Sequence, residues 1–257
     1  MFDSGVGGLT VVREIFSLLP YEEVVYFGDT ARVPYGDRDP EEIKTFTKQI
    51  CEYLVNKYDV KALVMACNTI DALCREEITA IYEPLPVIGV IEPGCLAAMT
   101  AKSVGLMATQ ASVDSRAHEK TFRSHGGKQP FHALACPSLT KLVEAGKMGE
   151  PEAFEEVRRY VDELMEKGID TLILGCTHHI ILFPEICKAS GGKARLVNPA
   201  IATAVSVKHT LERRGVASDR QSRPSHMFVL SKPSSAFGAI CENMFKNVPE
   251  VTIHRLG

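Results

Sequence analysis

The residue types best suited to chemistry in this chain are two cysteines at matching places. Cys67 lies in KALVMACNT (Lys61 to Thr69) and Cys176 in DTLILGCTH (Asp170 to His178). Each closes an apolar run and is followed at once by an amide or hydroxyl side chain. A cysteine after a strand is ordinarily a small buried hydrophobe, and Cys51, Cys74, Cys95, Cys136, Cys187 and Cys241 read that way. A thiol that opens a helix differs, because the helix dipole favours its thiolate. Two such groups, one thiolate and one thiol, can take a proton from one face of a carbon and deliver a proton to the other. They exchange roles when the direction reverses. Hydrogen-bond donors in a closed site can hold the developing carbanion, so no pyridoxal lysine is required.

Two further stretches offer other chemistry. DSGVGG (Asp3 to Gly8) sets three glycines before a helical pattern, but lacks the Lys-Ser/Thr ending of a P-loop and the strand preceding a dinucleotide fingerprint. Free N–H groups at such a helix start would take a small carboxylate. With Asp3 at the mouth as partner for an ammonium group, the loop suits an amino acid better than a nucleotide. Cys176, His178 and His179, with Glu185 nearby, resemble metal ligands. Adjacent histidines usually diverge, however, and no HExxH or paired CxxC spacing is present. Neither a metal nor a cofactor is expected.

The elements that must position these residues alternate. Apolar runs at Glu23 to Asp29, Val60 to Cys67, Leu85 to Ile91, Ser103 to Thr109 and Ile169 to Cys176 read as strands. Amphipathic patterns between them, PEEIKTFTKQICEYLVNKY and PEAFEEVRRYVDELMEKG, read as helices. That alternation predicts parallel sheets covered on both faces, with ligands at the carboxyl ends of the strands. The pattern also repeats: DSGVGG begins 64 residues before Cys67, and TQAS begins 67 residues before Cys176. Two similar α/β halves are therefore expected to face each other, each giving one cysteine to a shared cleft. A full strand, Val104 to Ala108, leads into the second of these turns, whereas only Met1 and Phe2 precede Asp3. Either the sequence begins later than its natural start, or the first half lacks part of its central strand; a missing strand would leave unpaired backbone groups beside the site.

Composition bounds the function. The chain has 257 residues, 45% apolar and 24% charged, which is an ordinary globular balance. A formal charge of −3 provides no basic face for nucleic acid, and no apolar run approaches a membrane span. MFDSGVGG carries no export signal. Eight scattered cysteines point to reduced thiols in the cytoplasm.

Asp3-Ser4-Gly5, GDTARVPYG (Gly28 to Gly36), Ala66-Cys67-Asn68-Thr69, GVIEPG (Gly89 to Gly94) and Gly175-Cys176-Thr177-His178 occur in order over nearly the whole chain. In these motifs the chain resembles the glutamate racemases, cofactor-independent members of the aspartate/glutamate racemase superfamily. The resemblance implies interconversion of L- and D-glutamate for peptidoglycan synthesis in a bacterial cytoplasm, with a homodimer common in the family. It implies two flavodoxin-like domains related by a pseudo-twofold axis, with the active site in the cleft between them. Residues 1–91, completed by 200–257, would form the first domain and 92–199 the second. Carried over by position, Cys67 and Cys176 would be the acid/base groups, and Asp3 and His178 would assist them or bind the amine. Ser4, Pro34, Tyr35, Gly36, Asn68, Thr69 and Thr177 would hold the substrate, and Glu144 would stand near it. The chain departs from the family at Ile70 and Asp71, where small residues are usual. It departs again at His179 and Ile180, where Tyr-Pro is usual, and at Asn198, often an Asp. Asp71, one turn beyond Cys67, would raise the thiol pKa or replace a lost contact. His179 would be a core or wall residue with a titratable edge. A racemase of another small amino acid such as aspartate, or a binding or regulatory protein on the same scaffold, are the alternatives.

Overall fold

A computed structural model describes residues 1–256. Among these residues ten strands form two parallel sheets. In chain order they are β1 (Phe2–Asp3), β2 (Val25–Gly28), β3 (Leu63–Met65), β4 (Val87–Gly89), β5 (Val104–Ala108), β6 (Phe131–Ala135), β7 (Thr171–Gly175), β8 (Arg195–Val197), β9 (Met227–Leu230) and β10 (Val251–Ile253). One sheet has the order β10-β9-β2-β1-β3-β4, the other β6-β5-β7-β8. The repeat anticipated from the cysteine motifs is thus a repeat of topology. The order β2-β1-β3-β4 recurs as β6-β5-β7-β8, and each cysteine follows the strand beside the central one.

The short strand β1 is paired on both sides, Phe2 lying opposite Phe27 and Met65, so its backbone is not left bare. Ala66 N–H also donates to Phe2 O. The expectation of unpaired groups beside the site is corrected on this point. Strands β6, β8, β9 and β10 had no separate sequence signal. β9 and β10 join β2 only because the chain returns from residue 227 onward.

Helices cover both faces. The helix Pro40–Lys57 starts at Asp39, whose carboxylate accepts from Glu41 N–H, with Pro40 at its first turn. The helix Pro151–Met165 buries Ala153, Val157, Tyr160, Val161 and Leu164 at helical spacing. Separate apolar clusters gather around Ile50 and Leu63 in one half and around Leu106 and Phe122 in the other. The largest cluster runs from Leu9 and Val12 through Met107 and Leu174 to Ala204 and Phe228, and so packs the two halves on each other. Among the described residues no helix is long and apolar enough to cross a membrane.

Of the two roles expected of Asp71, the structure shows the replaced contact. Its carboxylate turns to the start of the helix Ile91–Ala97, accepting from Ile91 N–H at 2.8 Å, and pairs with Arg75 at 3.2 Å. It fits because Gly89 has no side chain, and a Cβ there would lie 2.0 Å from Asp71 Oδ1. A helix-start acceptor in place of a small residue replaces a contact; it does not tune the thiol. Asp71→Ala should lower unfolding free energy by about 2 kcal/mol, the cost of orphaning a buried donor. Arg75→Ala, on a half-exposed partner, should cost under about 1 kcal/mol. Urea unfolding at constant m-value measures both.

Candidate active site

The carboxyl ends of the central strands meet across one small, largely enclosed cavity. Cys67 reaches it as the residue just before the helix Asn68–Tyr82, and Cys176 as the residue just before Thr177–Ile181. Both are about 95% shielded from solvent, each being 5% exposed. The helix-dipole expectation fails at Cys67, because burial wins. Burial pushes its thiol up to about 12, and the charge of Asp3 adds to the rise. The Ile70 N–H and the Ser4 hydroxyl, 3.5 Å from the sulfur, offset only part of it. Cys67 is thereby kept as a protonated acid at neutral pH.

Cys176 has different neighbours. His178 Nδ1 and Thr140 Oγ1 each lie 3.8 Å from its sulfur. His178 Nε2 bonds Glu144 Oε1 at 2.7 Å. Burial works against a charged imidazole, but the bonds to Cys176 and Glu144 prevail and carry His178 well above its ordinary value. A cation is therefore held beside this sulfur. His179 points elsewhere: its Nδ1 bonds Met107 O at 3.2 Å, and burial lowers its pKa to about 4. It is a neutral core residue without the titratable edge expected of it.

The DSGVGG loop is also corrected. Asp3 is fully buried and does not line the cavity. Its carboxylate accepts from Gly5 N–H at 2.9 Å and from the Thr177 hydroxyl at 3.2 Å, and burial raises its pKa. The glycines serve close packing of the two halves. A Cβ on Gly7 would meet Thr177 Oγ1 at 2.3 Å and His178 Nδ1 at 2.8 Å. Glu144 likewise stands off the cavity, behind His178. Tyr35 is on the wall, yet its hydroxyl donates to Asp29, which also takes Arg32 at 2.6 Å and Ser231 at 2.7 Å. Pro34 follows a cis peptide, and Gly36 O accepts from Ala111 N–H at 3.3 Å.

The remaining expected residues line the cavity directly: Ser4, Asn68, Thr69 and Thr177. Thr69 and Thr109 share a hydroxyl bond of 2.8 Å, tying the halves together. Sequence reasoning missed Thr109, Thr140, Pro137 and Asp37 as wall residues. Thr109 had a usable signal, since TQAS occupies the place in the second half that DSG holds in the first. Thr140 sits in an ordinary amphipathic helix, Pro137–Glu144, and had none. Cys187, read as buried, is exposed. Asn198 starts the helix Pro199–Arg213 by accepting from Ala200 N–H at 3.0 Å.

A wall rich in hydroxyl and amide groups, with the His178 cation among them and a thiol from each half, suits a small acid bearing a carbon-bound proton. Residues 8–207 match the sequence profile of Asp/Glu/hydantoin racemases. The chain belongs to that family. The glutamate racemase of Bacillus cereus is 38% identical over 248 residues, covering 95% of this chain and 91% of the relative. That of Neisseria meningitidis serogroup B is 37% identical, covering 97% and 93%. Among solved structures, glutamate racemase isoform RacE1 of Bacillus anthracis superposes with a TM-score of 0.94 at 34% identity, over 99% of this chain and 96% of that one. Glutamate racemase of Francisella tularensis in complex with D-glutamate gives 0.92 at 29% identity, over 99% and 96%. In this racemase-family chain the motif order noted in the sequence thus runs through the entire fold.

The His178–Glu144 pair makes a prediction with a definite sign. Because the folded pKa of His178 is raised above 6.5, the stability it contributes is fully present below that value and is lost as pH rises through the folded one. The stability gap between the native chain and Glu144→Gln should therefore be widest near pH 6 and shrink at alkaline pH. Thermal melts across pH 6 to about 10 measure it; a gap that widens with pH would contradict the pairing.

Proposed function

We propose that this chain interconverts L- and D-glutamate without a cofactor, using Cys67 and Cys176 as the two acid/base groups. The observation that carries the reading is the pair of sulfurs brought to one cavity from equivalent places in two repeated halves. A thiolate takes the α-proton: the Cα–H bond breaks, an S–H bond forms, and the electron pair is left on the carbon and its carboxylate. The opposite thiol then gives its proton to the other face and becomes the thiolate. Nothing is oxidised or reduced, and the reverse reaction starts from the state the forward one leaves.

Cys67, kept protonated by burial, suits the donor role, while the His178 cation suits negative charge on Cys176. Ser4, Asn68, Thr69 and Thr177 would hold the substrate from the wall, with the backbone around Pro34, Tyr35 and Gly36 closing it. Asp3 and Glu144 would act from behind, through Thr177 and His178. The two sheets would mark two domains, residues 1–91 completed by 200–257, and residues 92–199. A homodimer in a bacterial cytoplasm, supplying D-glutamate for peptidoglycan, completes the reading. Its support is the shared family and the glutamate racemases similar over the whole chain.

In deuterated water, racemisation should place solvent deuterium on the product α-carbon, because the proton delivered comes from the other thiol. Cys67→Ser and Cys176→Ser should each lower racemisation by at least about a hundredfold, the scale of one acid/base group. With a leaving group on the β-carbon, each variant should still eliminate from one enantiomer, and a different one in each case. Equal elimination from both enantiomers by both variants, or normal racemisation by either, would overturn the two-thiol reading. Activity should survive chelation and exhaustive dialysis and be lost on thiol alkylation; a need for added zinc or pyridoxal phosphate would also overturn it.

A further inference from the structure

His118 played no part in the reading of the sequence, yet the fold places it between the two cysteine segments. It lies on the helix Ala117–Ser124, is 1% exposed, and its ring packs against Gly175, the residue before Cys176. Its Nε2 stands 3.1 Å from Oδ1 of Asn68, the residue after Cys67. Two buried polar atoms flank this bond without partners: His118 Nδ1, and the Nδ2 of Asn68 on the cavity wall.

Those two atoms decide the direction of the bond. A neutral imidazole carries one proton. If that proton were on Nδ1, a buried N–H would be orphaned and Nε2 would accept from the asparagine, turning the amide oxygen to the cavity. With the proton on Nε2, only a lone pair is left bare at Nδ1, which costs less than a buried N–H without an acceptor. Burial keeps the ring neutral, its pKa lowered to about 4. A carboxylate accepts and cannot donate, so an amide oxygen facing it repels where an NH2 group binds.

We infer that His118 is a positioning residue: its Nε2–H donates to Asn68 Oδ1 and so presents the Asn68 NH2 group to a carboxylate of the substrate. Asparagine alone has no preference between its two amide orientations. The histidine supplies that preference from the opposite half of the molecule, so the donor is in place before substrate enters. This deepens the racemase reading and rests on it, and the test therefore includes a measurement independent of turnover.

Nitrogen NMR of the imidazoles at neutral pH should show His118 neutral and protonated on Nε2; an Nδ1–H or a charged ring overturns the inference. In kinetics, His118→Leu should lower kcat/KM for glutamate about tenfold or more with Asn68 present, and less than about twofold in an Asn68→Ala background, because the two act as one unit. His118→Gln, which can still donate, should recover most of the loss. Equal losses in both backgrounds would show a residue that merely supports the fold, and would overturn it. Failure of the wild-type protein to racemise glutamate would instead defeat the function proposed above, while the tautomer still judges the hydrogen bond.

Discussion

Taking a sulfur out of water favours its protonated form, so each buried thiol here depends on what its neighbours supply in place of solvent. Cys67 has Ser4, a single N–H and the unhelpful charge of Asp3, and it stays an acid. Cys176 has an imidazole held charged by Glu144. Near-symmetric backbone positions therefore carry unlike electrostatic settings. That inequality sets a protonated thiol on one side and a charged imidazole on the other.

The fold delivers this by placing two copies of one topology with their carboxyl ends against each other. Crossing contacts are made at short range: Gly7 against Thr177 and His178, the Thr69–Thr109 hydroxyl bond, the Asp3–Thr177 bond and the His118–Asn68 bond. Each joins a residue of the six-stranded half to one of the four-stranded half. The cavity is thus built entirely at a seam between closely packed halves. The large shared cluster from Leu9 to Phe228 holds them so.

Behind the wall a second layer sets orientation. Asp29 gathers Tyr35, Arg32 and Ser231, so the loop from Gly28 to Gly36 is anchored partly by the returning C-terminal segment. Asp71 starts a helix beneath the cleft, and Asn198 starts another. These carboxylates and amides satisfy backbone donors that no sheet or helix ladder reaches.

Much was legible from local pattern. The apolar runs ending in ACNT and GCTH marked β3 and β7, the amphipathic helices followed their charge spacing, and the repeat fixed the pairing of Cys67 with Cys176. Such features depend on residues near in sequence, where period and punctuation report directly on conformation. The settings of Asp3, Asp71 and His179 were not legible because each is decided by a partner twenty or more residues away. Asp3 meets Thr177, Asp71 meets Ile91, and His179 meets Met107. Likewise the sign of the Cys67 shift was decided by burial, which no spacing of residues encodes. The sequence by itself determined the two thiols, the alternating α/β elements and their duplication. Only tertiary structure decided which charges each thiol feels and which polar groups face the cavity, since both follow from distances across the seam between two halves.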